Sequence, residues 1–264
     1  MSASLRRIWG LVYRHLALYR RSWPRLLELA YWPVLQMCIW GFTSAYLMTR
    51  QGFGWQAAGA LIGGVLLWEV ALRSTLGVAL SFLEEMWSRN LGHILVSPIR
   101  PVEMVAAFIA MGLLRTFAGV VPAAVLAWLL YAFNILTFGP LLVVFFANLM
   151  VMGWWVALAV VSLILRHGQG AEALAWSTMF GLTPFAAVYY PVDVLPSVLK
   201  AVALALPASH VFEGMRAAMA GVARWDHLAA AGALNVVWMA AAAWLFASQL
   251  RAARIKGALV SIGE

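Results

Sequence analysis

Apolar residues occur along the chain in six long blocks, separated by short polar connections or by connections that contain proline and glycine. Each block is close to the roughly 20 apolar residues that an α-helix needs to cross a bilayer. The pattern therefore predicts an all-α integral membrane protein, folded as a single domain over residues 1–264. Its six transmembrane helices are predicted at residues 27–49, 57–83, 104–131, 138–165, 171–190 and 228–250.

The segment 4–22 has the pattern of an amphipathic helix that lies on the membrane surface. Its cations suit lipid headgroups, and they are Arg6, Arg7, Arg14, Arg20 and Arg21. Its apolar face contains Ile8, Trp9, Val12, Leu16 and Tyr19. The Trp-Pro pair at 23–24 ends this helix. A basic cytosolic tail is the alternative, but it explains only the arginines and not the aromatic residues between them.

The stretch between the fifth and sixth predicted spans fits neither a plain loop nor a full span. About ten apolar residues lie between Pro196 and Pro207, which is too short to cross a membrane. The stretch therefore predicts a short re-entrant helix pair that is sheltered within the protein.

Composition supports the membrane assignment, with 64% hydrophobic residues, 11% charged residues and a mean hydropathy of +0.88. The net charge of +8 does not indicate nucleic-acid binding, because the basic residues gather beside the apolar blocks, where they orient a membrane protein. Few of them fall on the side opposite the N-terminus: Arg50, Lys200, Arg216 and Arg224. This bias predicts that both termini are cytoplasmic.

Motifs for chemistry are missing from the sequence. It has no G-x-x-x-x-G-K-[ST] phosphate loop, no H-E-x-x-H motif and only one cysteine, Cys38. The chain is therefore not expected to be an enzyme, to hydrolyse ATP in the usual way or to hold a metal or cofactor. Ser209, His210 and Glu213 could suggest a hydrolase, but neighbours along one helix do not build a catalytic triad.

Three charged residues fall inside predicted spans. Glu69 and Arg73 are four residues apart on one helix, so they can pair on one face that is turned toward protein or water. Arg115 lies in the next span. Two interpretations of these residues remain open: they line a transport path, or they form a structural ion pair that locks helix packing.

The connection between the second and third spans, residues 84–103, predicts a short amphipathic helix that Ser97 and Pro98 end. Such a helix can insert into a groove of a cytoplasmic partner and transmit the partner's movement to the spans. A solvated helix packed on its own protein is the alternative. The chemistry of the residues does not decide between them.

This connection resembles the cytoplasmic coupling segment of ABC transporter permeases of the type-2 class, which export polysaccharides, lipo-oligosaccharides and drugs. The resemblance rests on Glu85, Arg89, Gly92 and the run Leu-Val-Ser-Pro-Ile-Arg-Pro at 95–101. A second resemblance is the Tyr-Pro-Val-Asp-Val-Leu-Pro run at 190–196, followed by Leu-Pro-Ala-Ser-His at 206–210 and Glu-Gly-Met-Arg at 213–216. In that family, similar runs form short helices at the outer leaflet.

The resemblance implies an exporter of the bacterial inner membrane in which two permease chains form the path. Two separate ATPase subunits, which bind ATP and Mg²⁺, then dock beneath them. It places ATPase coupling at Glu85, Arg89, Leu91, Ile94, Leu95 and Pro98. It places Glu69, Arg73 and Arg115 in the interior. It implies an outer gate formed by Tyr190, Pro191, Pro196, Pro207, His210, Glu213 and Arg216.

Two other functions remain alternatives at this stage. A secondary transporter or channel that works alone usually shows inverted repeats, and none is visible in this sequence. A lipid-modifying enzyme within the membrane would use His210, Glu213 and Arg216 at an outer-face site. Finding an ATPase that is encoded beside this chain and purifies with it would favour the permease over both alternatives.

Overall fold

The protein is helical throughout the part that the structure, a computed structural model, describes: residues 3–51, 54–168 and 173–255. The helices within these ranges are α1 (Ala3–Arg20), α2 (Trp23–Gln51), α3 (Trp55–Trp87), α4 (Leu91–Val96), α5 (Pro101–Tyr131), α6 (Pro140–His167), α7 (Ala173–Leu182), α8 (Ser197–Leu204), α9 (Pro207–Met219) and α10 (Trp225–Ile255). These ranges contain no β-strand, so the prediction of an all-α protein is confirmed for them.

Four of these helices, α3, α5, α6 and α10, are long and apolar enough to cross a membrane. They correspond to the second, third, fourth and sixth predicted spans. α8 and α9 meet at a bend of 93°, and the pair would make a fifth crossing if it formed one broken span. By length and composition alone, the described residues therefore contain four membrane-capable helices, or five if the bent pair is one span, and the predicted count of six is not confirmed.

The first and fifth predicted spans differ from the expectation. α2 is 29 residues long and covers the whole first predicted span. Its tryptophan, tyrosine and charged residues lower its mean hydropathy, so it is not among the helices that are apolar enough to cross a membrane. α7 has only ten residues and ends at Leu182, so the predicted helix over 171–190 is not continuous. The break follows from Pro184, which disfavours helical backbone at Thr183, and the backbone at Ala187 then adopts a positive φ of 56°.

α3 is the central helix, and 94% of its most apolar stretch is buried. It packs against α5 and α6, which approach it closely where glycines face it. A Cβ atom at Gly77 would lie 2.4 Å from the Cα atom of Gly112 on α5. A Cβ atom at Gly153 on α6 would lie 2.5 Å from the Cβ atom of Ser74. These glycines place the polar residues of α3 beside the neighbouring helices.

α1 packs along α5 and α2 and buries Leu11, Val12 and His15 against them. On the predicted apolar face, Val12 is buried in the protein, whereas Trp9 is 54% exposed. After α3 the chain turns at Arg89, whose φ is +52°, and enters the six-residue helix α4. α4 ends before Ser97, as predicted.

Candidate functional site

Two cavities lie along one side of α3. The first, about 310 Å³ in volume, follows α3 from Arg73 to Trp87, and we call it the Arg73 cavity. The second, about 390 Å³, follows α3 from Val65 to Leu72, and we call it the Glu69 cavity. Residues of α2 and α7 contribute to the walls of both. The cavities are therefore consecutive parts of one crevice along α3.

Glu69 and Arg73 form the predicted ion pair where the two cavities meet. The Nε of Arg73 donates to the Oε2 of Glu69 at 3.2 Å, and both side chains are at least nine-tenths buried. Arg73 lines one cavity and Glu69 lines the other. The pair thus separates the two halves of the crevice.

Arg115 projects from α5 into the Arg73 cavity but pairs with a different carboxylate. Its Nη2 donates to the Oε2 of Glu84 at 3.1 Å, and its Nη1 donates to the carbonyl oxygen of Gly77 at 3.3 Å. Its guanidinium lies 4.8 Å from the ring centroid of Tyr19 on α1. Arg115 therefore connects three helices at the wide end of this cavity.

Glu84 and Glu85, at the end of α3, bind α1 through an ion cluster. The Nδ1 of His15 lies 3.0 Å from the Oε2 of Glu84, and its Nε2 lies 3.1 Å from the Oε1 of Glu85. The Nη1 of Arg14 donates to the Oε2 of Glu85 at 2.6 Å. Asn90, at the start of α4, also donates to that oxygen, at 2.8 Å. One buried carboxylate therefore joins α1, α3 and the corner before α4.

A second ion pair ties α1 to the start of α5. Arg7 donates two hydrogen bonds to Glu103, from Nε at 2.8 Å and from Nη2 at 2.6 Å. Glu103 also accepts the backbone N–H of Arg100 at 3.0 Å. The prediction that Arg7 and Arg14 serve lipid headgroups is therefore corrected, because both donate to carboxylates of this chain.

At the opposite end of the crevice, Glu213 and Arg216 on α9 hold the segment that precedes α8. The Oε1 of Glu213 accepts the backbone N–H of Val192 at 2.8 Å and the Nη2 of Arg216 at 3.0 Å. The same nitrogen donates to the carbonyl oxygen of Ala187 at 2.9 Å. These bonds pair one carbonyl oxygen and one N–H group of the backbone between α7 and α8.

The other residues of the predicted outer gate lie in the same region. Tyr190 donates from its hydroxyl to the carbonyl oxygen of Pro184 at 2.6 Å. Pro191, Pro196 and Pro207 stand at the starts of a short 3₁₀ helix, of α8 and of α9. The contacts that join sequence-distant parts of this region are those of Glu213 with Val192 and of Arg216 with Ala187.

His210 makes contacts that do not resemble a catalytic triad. Its Nε2 lies 2.9 Å from the carbonyl oxygen of Leu204, and its Nδ1 lies 3.4 Å from the Nδ1 of His227. The neighbouring Ser209 hydroxyl donates to backbone carbonyl oxygens, including that of Ala203 at 2.6 Å. The serine, histidine and glutamate therefore stabilise the helix junction and do not contact one another in series.

A family model described as ABC-2 type transporter matches residues 6–220. The chain belongs to the ABC-2 type transporter family. No curated protein matches the chain. The matched region runs from α1 through α9, so it contains the whole crevice, the ion cluster and the gate region. The chain is therefore a multi-pass permease component of an ABC transporter.

In this ABC-2 permease the residues predicted to contact an ATPase differ in exposure around the corner between α3 and α4. Glu85 is 1% exposed and Ile94 is 5% exposed, so both side chains contact this chain and not its surroundings. This corrects their expected place on an outer surface. Arg89 and Pro98 are exposed. The side chains of Leu91 and Leu95 lie outside the described part of the structure.

Among the described side chains of α4, Val96 is 89% exposed and His93 is also exposed. An apolar side chain that projects fully from a short helix is suited to a partner's groove. Val96 was part of the quoted motif but was not singled out by the sequence.

The ion cluster of this ABC-2 permease was not predicted from the sequence. His15 was interpreted as a residue of the membrane boundary, and Glu84 only as part of a polar connection. One signal was available: acidic residues near 84 and 103 fall on the same predicted side as the basic segment 4–22. Opposite charges on segments that share one membrane side favour pairing, and the structure shows that pairing.

We expect the attachment of α1 to depend on pH through His15. Burial alone would lower the pKa of His15, but hydrogen bonds to the carboxylates of Glu84 and Glu85 outweigh it and raise the pKa above the usual value of about 6.5. A raised pKa stabilises the folded form below the usual value, and this stability is lost as pH rises through the raised pKa. Hydrogen exchange in α1, corrected for intrinsic rates, should therefore increase on the alkaline side.

Arg14 and Arg115 also contact this cluster, through Glu85 and Glu84. His15→Gln should remove the pH dependence, whereas the matched change at the exposed His93, His93→Gln, should leave it intact. An unchanged pH profile in His15→Gln would show that another group controls the attachment of α1.

Proposed function

We propose that this chain forms the substrate path of an ATP-driven exporter and that a separate ATPase subunit supplies the energy. The observation that carries the proposal is the continuity of α3, a single helix of 33 residues. Its middle forms the wall of the crevice and bears the buried ion pair, and its end bears the cluster beside α4. Force applied at α4 can therefore reach the crevice through one rigid element.

The distances along α3 suit this role. Glu85 and Glu69 are 16 residues apart, which is about 24 Å at a rise of 1.5 Å per residue. A small rotation of the corner would move both cavities relative to α2 and α7. α1 would move together with the end of α3, because Arg14 and His15 on α1 form ion pairs with the carboxylate of Glu85. In this scheme Glu85 acts inside the coupling corner, and Arg89, Pro98 and the exposed side of α4 contact the ATPase.

The proposed topology has six crossings with both termini in the cytoplasm of a bacterium and with the chain in its inner membrane. α2 would be the first crossing, and α7 with the irregular segment after it would be the fifth. The bent pair α8–α9 would then be a re-entrant element near the outer side. The distribution of lysine and arginine supports this orientation. It places α4 and the ion cluster on the cytoplasmic side.

We further propose that two such chains form the path together. The crevice opens along one side of a single chain, and the adjoining helix α2 presents large exposed aromatic side chains. Examples are Phe42 and Tyr46, which are 61% and 58% exposed. A second copy facing this side would enclose both cavities. ATP and Mg²⁺ would be bound by the ATPase subunits and not by this chain.

The two alternatives are supported less well. Glu213 and Arg216, the residues that an enzyme would need, already bond to each other and to backbone groups. A channel or secondary transporter would not need the helix α4 with its projecting apolar residue. Transport of a solute by the purified chain in vesicles, with no ATPase present, would overturn the proposal.

We expect Val96→Asp to release the ATPase. A carboxylate at this position would be desolvated in an apolar groove, so the tagged permease should retain about tenfold less of the ATPase encoded beside it, which is about 1.4 kcal/mol. Val194 offers a matched control, because it is an exposed valine, 70% accessible, at the opposite end of the molecule. Equal recovery of ATPase with Val96→Asp and Val194→Asp would exclude docking through this face of α4.

A further inference from the structure

Two buried arginines in the Arg73 cavity have hydrogen-bond donors that the protein does not use. The Nη2 of Arg73 and the Nε of Arg115 are buried and have no hydrogen-bond partner among the described residues. Arg73 is 6% exposed and Arg115 is 4% exposed. Leaving a donor of a charged group buried and unpaired costs about 1–3 kcal/mol or more. Both residues line the same cavity.

Of the two carboxylates that line this cavity, one is already engaged and the other is exposed. Glu84 accepts from Arg115 and contacts His15, and Arg25 approaches its Oε1 at 3.8 Å. Glu28 also lines the cavity but is exposed. Among the described lining residues, the buried polar atoms that lack partners are therefore donors. A guest that brings acceptor oxygens would give these donors partners.

The remaining walls suit the apolar part of such a guest. Tyr19, Trp87 and Trp176 line the cavity beside the arginines. The volume of about 310 Å³ is at the lower end of the range for small-molecule sites. It accommodates a headgroup and the start of a tail, and it is too small for a whole lipid.

We propose that the Arg73 cavity binds the phosphate group of an amphiphilic molecule and that Arg73 and Arg115 donate hydrogen bonds to its oxygens. Guanidinium groups recognise phosphate oxygens through N–H bonds of fixed direction. Because Arg73 is also bonded to Glu69, a bound phosphate would share Arg73 with that carboxylate. The headgroup would thus sit directly against the boundary between the two halves of the crevice. This inference deepens the proposed path and rests on it.

The test is binding to the purified permease in a neutral detergent, without an ATPase. Native mass spectrometry would compare dioctanoyl phosphatidic acid with dioctanoylglycerol, which has the same chains but no phosphate. We expect the phosphate-bearing lipid to be retained about tenfold better, a difference of about 1.4 kcal/mol. Equal retention of the two lipids would overturn the proposal, and it would leave the coupling role of α4 untouched.

Arg73→Lys is the decisive variant, because a lysine can still pair with Glu69 but lacks the additional directed donors of a guanidinium. It should abolish the tenfold preference, whereas Arg224→Lys, at an exposed arginine that pairs with Asp226, should keep it. An unchanged preference in Arg73→Lys would refute the site. If Arg73→Lys does not fold, the double variant Glu69→Leu with Arg73→Leu replaces the pair by apolar residues of similar reach and should also lose the preference.

Inorganic phosphate serves as the competitor that distinguishes the source of the anion. Competition at millimolar concentration would show that the site recognises a phosphate group by itself. Retention of the lipid without competition would show that the tail contributes to binding. Both results support a phosphate site, and they separate a free anion from a headgroup as its occupant.

Discussion

Replacing Glu69 alone by leucine is expected to destabilise the folded protein by about 3–5 kcal/mol. The substitution leaves the guanidinium of Arg73 buried with its Nε unpaired, on a side chain that is 7% exposed. A lone charge in such a place costs far more than the pair itself contributes. The melting temperature of the purified protein in detergent would report the loss.

The double variant Glu69→Leu with Arg73→Leu should recover most of that stability, because it removes both charges together. Its transport activity then separates the two interpretations of the pair. Recovered stability with lost transport assigns the pair to the path, whereas recovery of both shows that the pair only locks packing.

The exposed pair of Asp193 and Lys200 provides the control, since its carboxylate is 87% accessible. Asp193→Asn should leave the melting temperature nearly unchanged, because an exposed ion pair contributes little to stability. A Glu69→Leu protein as stable as the wild type would contradict the prediction and would show that water already reaches Arg73.

Replacing Glu85 by glutamine should loosen both α1 and the corner before α4. Glu85 is 1% exposed and receives hydrogen bonds from Arg14 and Asn90, with His15 at its other oxygen. Glutamine has nearly the same size but no charge, and one of its terminal atoms is a donor that faces other donors. We expect a loss of about 2–3 kcal/mol, with faster hydrogen exchange in α1 than in α6.

The functional effect of Glu85→Gln should differ from that of Val96→Asp. The exposed side of α4 is unchanged in Glu85→Gln, so the ATPase should still purify with the permease, but ATP-driven transport should fall. Glu28→Gln, at an exposed glutamate on α2, is the matched control and should leave exchange in α1 unchanged. Loss of the ATPase from Glu85→Gln would place Glu85 in the docking surface itself.

The parts of the fold that depend on local pattern were predictable from the sequence. The long apolar blocks predicted α3, α5, α6 and α10, because a helix of that length is the simplest way to satisfy backbone groups in a bilayer. The spacing of four residues between Glu69 and Arg73 predicted their pairing, because it places them on one helix face. The motif at 95–101 predicted the end of α4.

The continuity of the fifth predicted span could not be predicted in the same way. Its apolar composition favoured a helix to residue 190, whereas the chain leaves the helix at Leu182 and is then held by Glu213 and Arg216. Those two residues lie 31 and 34 positions after Leu182 in the sequence. Apolar composition indicates that a segment lies within the membrane. It does not show which groups will form hydrogen bonds with the backbone of that segment.

The sequence by itself determined that this chain is a helical membrane protein, that it resembles ABC-2 permeases and that it carries a charged pair within a span. These properties follow from the composition of the chain, from the spacing of residues along a helix and from short motifs, and all of these can be read directly from the sequence. Only the tertiary structure decided that Arg7 and Arg14 bond to carboxylates of the protein, that Glu85 and Ile94 face inward and that two cavities meet at Glu69 and Arg73. The partners in these contacts are distant in sequence, and only the packing of α1, α2, α5 and α7 around α3 brings them together.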